Sequence, residues 1–512
     1  MAYSEIVKRG LKQYFNYDFF REGQEEIILD VMAGRDVLGV LPTGSGKSLC
    51  YQLPSLLMSG TTIVISPLIS LMIDQVKELK ARKIKRVASL NSFNHYEERQ
   101  RILTNLREYK MVFISPELFQ QQEIREYLKR IQINFVVIDE AHCISQWGYE
   151  FRPDYLKIKD VITELNEPPI LALSATVTPT VQQDIVKSLK RDRIKQHIYP
   201  MDRDNIALTI EHVANDVEKV QMITYIVEKY HVPTLIYFSS RSVAERVANE
   251  LTSTMTGKNV AYYHGGLEQQ DRLHIQQQFM NDQLDVICCT SAFGMGINKQ
   301  DIRIIIHYHM PSQIESFIQE IGRAGRDGKD SLSVLLYAEN DKFLPQSFIE
   351  QELPTENQMF FVLEQLMRSY EHGQTVDYLD STFNRAELNE TQWNFLHSQL
   401  EKNGMIKGKQ INDNHDEWER ATSRMNDFRQ KRWQVKINKL QELLDWMFET
   451  ECLRKTLYEK FQETYKEPTG QCCSNCSFNY DAFTPEEKVY KIEREQTWQK
   501  KLENIFLIGD DI

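Results

Sequence analysis

The segment Leu41-Pro-Thr-Gly-Ser-Gly-Lys-Ser48 constrains this chain more than any other stretch. Two glycines, a lysine and a hydroxyl stand in the order that wraps a triphosphate, and such a loop joins a buried strand to the start of a helix. The flanks fit that requirement. Val37-Leu38-Gly39-Val40 reads as a short buried strand, and Leu49-Cys-Tyr-Gln-Leu-Pro54 as the first turns of a helix. Gly44 and Gly46 let backbone N–H groups approach phosphate oxygens, and the helix N-terminus adds partial positive charge. Lys47 is placed to reach the β- and γ-phosphates and the Ser48 hydroxyl to hold Mg2+, with Thr43 and Ser45 completing the loop. Leu41 stands where such loops usually open on glycine; this removes a free residue but no ligand.

A loop of this kind belongs to an open α/β sheet, and the chain continues in that style. Apolar runs at Thr62–Ser66, Met111–Ser115, Phe135–Ile138 and Ile170–Ser174 alternate with amphipathic helical stretches. A second series follows at Thr234–Phe238, Val260–His264, Val286–Thr290, Arg303–His307 and Ser333–Tyr337. Such alternation indicates parallel sheets covered on both faces. The expected class is α/β: two tandem doubly wound parallel-sheet domains, joined near residues 196–208, then a mainly helical C-terminal region. The expected divisions are 1–200, 201–342, 343–445, 446–480 and a tail of 481–512.

Composition removes some classes of function. The chain shows no apolar run of 18 residues and no N-terminal signal pattern, which points away from a membrane span and secretion and toward the cytoplasm. Lys and Arg total 61 against 73 Asp and Glu, a net charge of −12, which excludes a simple nucleic-acid-coating protein. A local basic channel remains compatible, because salt confines each charge to about 10 Å.

Phe135-Val-Val-Ile-Asp-Glu-Ala-His142 is a buried strand ending in two carboxylates. Asp139 is placed to hold Mg2+ and Glu140 to polarise the attacking water. His142 offers a coupling to Leu173-Ser-Ala-Thr176, whose Ser174 and Thr176 hydroxyls end another strand. Upstream, Tyr17-Asp-Phe-Phe-Arg-Glu-Gly-Gln24 holds a candidate base reader. Gln24 matches the N6/N7 edge of adenine, Tyr17 offers a stacking face, and Arg21 an anchor for the loop. Ser66-Pro-Leu-Ile-Ser-Leu71 and Ser115-Pro-Glu117 end strands at the edge where open sheets bind ligands; they read either as phosphate contacts or as plain helix caps.

In that order the residues resemble the RecQ family of DNA helicases in helicase superfamily 2, densely over residues 5–340 and again over 445–480. The most specific match is Asp139-Glu-Ala-His-Cys-Ile-Ser-Gln-Trp-Gly-Tyr-Glu-Phe-Arg-Pro-Asp154. The resemblance implies two RecA-like lobes. It also implies a loop that contacts single-stranded DNA through His142, Ser145, Gln146, Trp147, Phe151 and Arg152. Aromatic faces in such a loop stack on bases at about 1–3 kcal/mol each. Ser291-Ala-Phe-Gly-Met-Gly-Ile-Asn298 and Gln319-Glu-Ile-Gly-Arg-Ala-Gly-Arg-Asp327 also match. They imply Arg326 as an arginine finger, Arg323 as its neighbour at the γ-phosphate, and Gln319 at the nucleotide. The implied activity is ATP-dependent 3′-to-5′ movement on single-stranded DNA and unwinding of tailed or forked duplexes in recombination and repair. Single-strand-binding or recombination proteins are the implied partners, and the nucleoid the setting in a bacterium. An ATP-gated single-strand clamp and an RNA helicase are the competing readings.

Of the eight cysteines, Cys50, Cys143, Cys288 and Cys289 read as core thiols. Cys452, Cys472, Cys473 and Cys476 cluster late, which suggests metal before disulfides. By resemblance they form the structural zinc site of the family. Ligands at adjacent positions 472 and 473 are unusual, and Asn479 would be a poor substitute. Between the lobes and this cluster, Thr375–Lys409 reads as two helices and a β wing at Gly404-Met-Ile-Lys407, a winged-helix-like insertion. The basic run from Arg424 to Lys439 reads as a DNA-backbone track or a solvated helix face. With 36 residues after Cys476, the expectation is a short form without the family's usual C-terminal winged helix, terminal nucleic-acid-binding domain and duplex-separating hairpin.

Overall fold

The computed structural model describes residues 2–145, 152–191, 193–294, 299–371, 386–407, 410–412, 414–462 and 465–486. Gln146, Trp147 and Phe151, expected at DNA, lie outside the described residues.

The first sheet comprises β1 (Val37–Val40), β2 (Thr61–Ile65), β3 (Val87–Leu90), β4 (Met111–Ile114), β5 (Ile133–Ile138), β6 (Ile170–Ser174) and β7 (Lys195–Ile198). Their order is β3-β4-β2-β5-β6-β1-β7, parallel throughout. The second comprises β8 (Ile206–His212), β9 (Thr234–Tyr237), β10 (Val260–Tyr263), β11 (Val286–Cys289), β12 (Ile304–His307) and β13 (Ser331–Tyr337). Its order is β10-β11-β9-β12-β13-β8, also parallel. Numbered from its own first strand, each sheet runs third, fourth, second, fifth, sixth, first; β7 is an addition to the first. One topology thus occurs twice in the chain. The central strands β1, β2, β4, β9, β11 and β12 are buried along their whole length, as expected for sheets covered on both faces.

Every expected strand is present, with ends within two residues of expectation. Three strands were not anticipated: β3, β7 and β8. All three are sheet edges, where one side lacks a partner strand and the apolar signal weakens. In β7, Lys195-Gln-His-Ile198 exposes three of its four residues. The segment read as a joint, 196–208, therefore begins and ends in strand, and the crossing between the sheets is the short stretch 199–205.

Past residue 342 come the helices Phe343–Glu352, Glu356–Glu371, Glu390–Lys402 and His415–Met447. The expected wing appears as β14 (Ile406–Lys407) paired antiparallel with β15 (Gln410–Ile411). Met359, Leu363, Leu396, Leu400, Ile406 and Trp418 give this part its own core. The last helix has 33 residues and is about 50 Å long. Its C-terminal half lies on the second lobe: Trp446 meets Phe317 with ring centroids 5.0 Å apart, and Lys439 pairs with Glu315 at 2.6 Å. This corrects both readings for the C-terminal part of the basic run: Arg432 is buried, Lys436 pairs with Glu352 on the helix Phe343–Glu352, and Lys439 pairs with Glu315 of the second lobe. Arg424 and Lys431 are exposed, as a solvated helix face requires.

Candidate active site and metal centre

The phosphate loop leaves β1 and enters the helix Leu49–Leu57. Gly44 has φ +82° and Gly46 φ +80°, conformations that L side chains rarely adopt, so the loop's curvature requires glycine at both. Ser48 opens the helix without a side-chain cap bond. The Thr43 and Ser45 hydroxyls are buried with no hydrogen-bond partner among the described residues. Buried polar atoms normally find partners, and oxygens of a bound triphosphate would supply them here.

Asp139 and Glu140 follow β5 directly, and the Asp139 N–H donates to Ile65 O at 2.9 Å. Burial pushes the Asp139 carboxyl up to about 7, with Glu140 adding to the rise and Lys47 opposing it. A carboxylate this costly to ionise in isolation is suited to a divalent cation, which Ser48 and Asp139 would hold and which would neutralise phosphate charge. Glu140 sits at φ +49°, ψ +51°, a left-handed conformation unusual for a side chain of this kind. Its Oε2 lies 3.3 Å from His142 Nδ1, and that same nitrogen is 2.9 Å from Ser174 Oγ. The two strand ends expected to communicate are thus in hydrogen-bond contact. Thr176 Oγ1, next along, is buried without a partner.

Gln24 lies against the phosphate loop. Its Nε2 donates to Ser45 O at 2.8 Å and Gly46 O at 3.2 Å, and its Oε1 accepts from Arg21 N at 2.9 Å. Arg21 donates to Gly44 O. The amide expected to read adenine is here bonded to the loop backbone. Tyr17 stacks on Phe15 at 6.5 Å and remains 48% exposed, leaving ring surface for a base.

The second lobe brings Arg326 to this loop. A Cβ built on Gly44 would stand 2.9 Å from Arg326 Cγ, and one on Gly322 would stand 2.7 Å from Thr43 Cβ. Arg323 is buried and donates to Gly294 O. Burial pushes the Arg326 guanidinium down to about 9, reinforced by the positive charges of Arg323, Arg203 and Arg21. The guanidinium-bearing chains of Arg21, Arg203 and Arg326, from both lobes and the crossing segment, therefore converge beside the phosphate loop, and the charge of Arg323 acts on Arg326. Gln319 is half-buried on the helix Ile314–Ile321, whose Glu320 pairs with His307 at 3.0 Å. Arg203 was missed by sequence reasoning: it stands in Met201-Asp-Arg-Asp-Asn205, a polar string with no motif around it.

The expected DNA-contacting residues divide. Ser145 Oγ donates to Asp184 Oδ2 at 2.6 Å, and Arg152 Nη1 donates to Pro67 O at 2.7 Å, fixing both ends of the aromatic-rich segment to the first lobe. Ser115 is a helix cap, accepting from Leu118 N at 3.4 Å, whereas the Ser66 hydroxyl is buried without a partner.

At the far end, the sulfurs of Cys452, Cys472, Cys473 and Cys476 all lie within 4.8 Å of one another. Cys452 Sγ is 3.6 Å from Cys472 Sγ and 4.0 Å from Cys473 Sγ. Four thiolates around zinc at about 2.3 Å stand about 3.8 Å apart, so the set fits a closed structural site. The adjacent pair is accommodated because the extended backbone at Cys473 (φ −158°) is followed by the tight turn Ser474–Cys476. The Asn479 side chain is occupied elsewhere, its Oδ1 accepting from Asp481 N at 2.8 Å. Cys50, Cys143, Cys288 and Cys289 are buried, as core thiols should be.

Comparison with known proteins agrees with this geometry. The DEAD/DEAH box helicase family matches residues 21–185, the helicase conserved C-terminal domain residues 218–328, and RecQ zinc-binding residues 410–477. The chain is 39% identical over 502 residues to the probable ATP-dependent DNA helicase RecS of Bacillus subtilis, covering 98% of each. It is 41% identical over 333 residues to the ATP-dependent DNA helicase RecQ of Haemophilus influenzae, covering 65% of this chain and 53% of that one. The chain thus spans nearly all of the first relative and about half of the second. Among solved structures, Mycobacterium smegmatis helicase Lhr bound to single-stranded DNA and AMP-PNP superposes with a TM-score of 0.55 over 76% of this chain and 57% of that one, at 17% identity, a likeness of fold. A doubled parallel-sheet topology with arginines gathered at its cleft, a four-cysteine centre, and end-to-end similarity to a named helicase place the chain in the RecQ family of ATP-dependent DNA helicases.

Proposed function

We propose that ATP is hydrolysed in the cleft between the lobes and that this drives 3′-to-5′ movement along single-stranded DNA and separation of tailed or forked duplexes. The observation that carries the reading is the convergence of Arg21, Arg203 and Arg326 on the backbone of the phosphate loop, an arrangement of positive charge that a triphosphate would neutralise. The loop backbone, Lys47, Thr43 and Ser45 take the phosphates, and Tyr17 stacks on the base. Glu140 orients the attacking water, and Arg326, with Arg323, meets the charge that develops on the γ-phosphate. A finger of this kind supplies about 10³–10⁵ in turnover. The contact of His142 with Glu140 and Ser174 supports coupling between hydrolysis and the DNA-facing edge. The direction of movement is supported by family resemblance, not by the chemistry of the site. The domain divisions at 200, 342, 445 and 480 are part of the same proposal.

The test is hydrolysis and strand displacement on a 3′-tailed duplex by the wild type and Lys47→Ala. DNA-stimulated hydrolysis with displacement, both lost in the variant, is the expected result. Hydrolysis that single-stranded DNA leaves unchanged would overturn the reading. Stronger stimulation by RNA of the same sequence would move it to an RNA helicase.

A further inference from the structure

The crossing between the sheets carries an arginine that no motif assigns. The Arg203 Nη1 donates to Thr43 O at 3.2 Å and to Gly322 O at 3.4 Å. Its Nη2 donates to Asn205 Oδ1 at 3.2 Å, to Ala324 O at 3.3 Å and to Gly325 O. Thr43 belongs to the phosphate loop of the first lobe, whereas Gly322, Ala324 and Gly325 frame the two arginines of the second. One side chain therefore ties the phosphate loop to the loop that delivers Arg323 and Arg326. A Cβ built on Gly44 would stand 3.2 Å from Arg203 Nη1 and 3.3 Å from Arg326 Cδ, so both guanidinium-bearing chains press on the same turn of backbone. Asn205 reinforces the tie, donating to Gly325 O at 2.9 Å and Lys329 O at 2.7 Å.

The backbone around Arg203 is held from outside by the cysteine-bearing region. Met201 N donates to Gln462 Oε1 at 2.7 Å. The Asp202 carboxylate accepts from Arg454 Nη1 at 2.6 Å and Lys466 N at 2.8 Å. Arg203 O accepts from Arg454 Nη1 at 2.7 Å, Asp204 O from Thr469 N at 3.0 Å, and Cys472 O from Leu208 N at 3.0 Å. Arg454 and Asp202 are both fully buried. The crossing segment is thus fastened at successive residues, with Arg203 reaching from it to the phosphate loop. A guanidinium suits this place: it stays charged when buried and its planar fork serves several carbonyls at once.

We propose that Arg203 is a positioning residue for hydrolysis: by bridging Thr43 O to the carbonyls of Gly322, Ala324 and Gly325, it sets Arg323 and Arg326 against the phosphate loop in the closed cleft. The proposal rests on the reading of the cleft as the ATP site. Arg203 bonds to backbone on both sides, so its loss misplaces the two arginines more than it removes contacts from bound ATP. Misplacement by about 1 Å costs on the order of a hundredfold in rate.

The test compares wild type, Arg203→Ala and Arg203→Lys as full-length, zinc-loaded protein, measuring kcat and KM for ATP with saturating single-stranded DNA. Zinc content and thermal melting serve as controls. The expected result is a kcat lower by about tenfold to a hundredfold in Arg203→Ala with KM changed less than about threefold. Arg203→Lys should fall between, since one ammonium cannot span both loops. A kcat within about twofold of wild type, or a rise in KM equal to the fall in kcat/KM, overturns the proposal. If Arg203→Ala does not melt cooperatively with its zinc, Arg203→Lys carries the test alone, and wild-type turnover in it is the overturning result. Absence of DNA-stimulated hydrolysis in the wild type removes the ATP-site reading itself, and so is distinguished from failure of Arg203.

Discussion

At the phosphate loop one methyl group is a large perturbation. Gly44 combines a φ of +82° with a contact from Arg326, so Gly44→Ala strains the backbone and displaces Arg326 together. The left-handed conformation alone costs about 1–2 kcal/mol. Turnover of Gly44→Ala is expected to fall by at least about tenfold, with weaker nucleotide binding, measured by steady-state hydrolysis and by titration with a fluorescent ATP analogue. Glu140→Gln separates binding from chemistry. It keeps size and hydrogen bonding but removes the charge that the proposed mechanism uses to orient water, so analogue affinity is expected to hold while turnover drops by about 10²–10⁴. An unaltered turnover would remove Glu140 from the mechanism. The strained Glu140 backbone is consistent with a residue placed for chemistry at some cost to the fold.

Among the elements, the short helix Leu453–Tyr458 matters beyond its length. It starts at Cys452, carries the buried Arg454, and presents Leu457 and Tyr458 to the core shared with both lobes. Arg454→Ala leaves Asp202 buried without its cation, and breaking such a pair typically costs about 3–5 kcal/mol. The expected outcome is a lower urea midpoint at unchanged slope, read by circular dichroism. Cys473→Ser removes a thiolate from a closed cage. In zinc-finger systems metal binding contributes about 10–16 kcal/mol, so the variant is expected to lose bound zinc and to become protease-sensitive near residues 449–478. Zinc analysis and limited proteolysis check this; a full complement of zinc would show the cage needs only three thiolates.

Across the molecule, a single apolar cluster runs from Leu38 in the first lobe through Leu235 and Phe317 in the second to Trp446, Leu457 and Cys473. Loss of zinc should therefore be felt by the lobes. Chelation of the full chain is expected to lower the temperature of the main calorimetric transition, not only to add a small early one. The net charge of −12 means that DNA is held by local groups, so affinity should weaken with salt at a slope set by a few phosphate contacts, measurable by anisotropy. Two lobes of one topology can close on a ligand between them and reopen, and under the proposed function a difference in DNA affinity between the two states would convert that closure into movement.

The local chemistry of the chain settled a large part of this protein. Strand–loop–helix spacing located the phosphate loop, the paired carboxylates and the buried strands, because those features depend on neighbours within a few residues. The late cysteines were legible as metal ligands, although their adjacency was resolved only by the turn after Cys473. The edge strands β3 and β7 escaped notice because Val87-Ala-Ser-Leu90 and Lys195-Gln-His-Ile198 carry little apolar signal, whereas the edge strand β10 was legible. The roles of Lys436 and Lys439 were hidden because a cation reads the same whether it meets solvent, DNA or Glu352 and Glu315. Arg203 is the clearest case. Its partners at Thr43 and Gly322 are 160 and 119 residues away, and nothing in its own surroundings announces them. Contacts across such distances arise when two sheets pack and a segment threads between them, and so belong to the folded molecule alone.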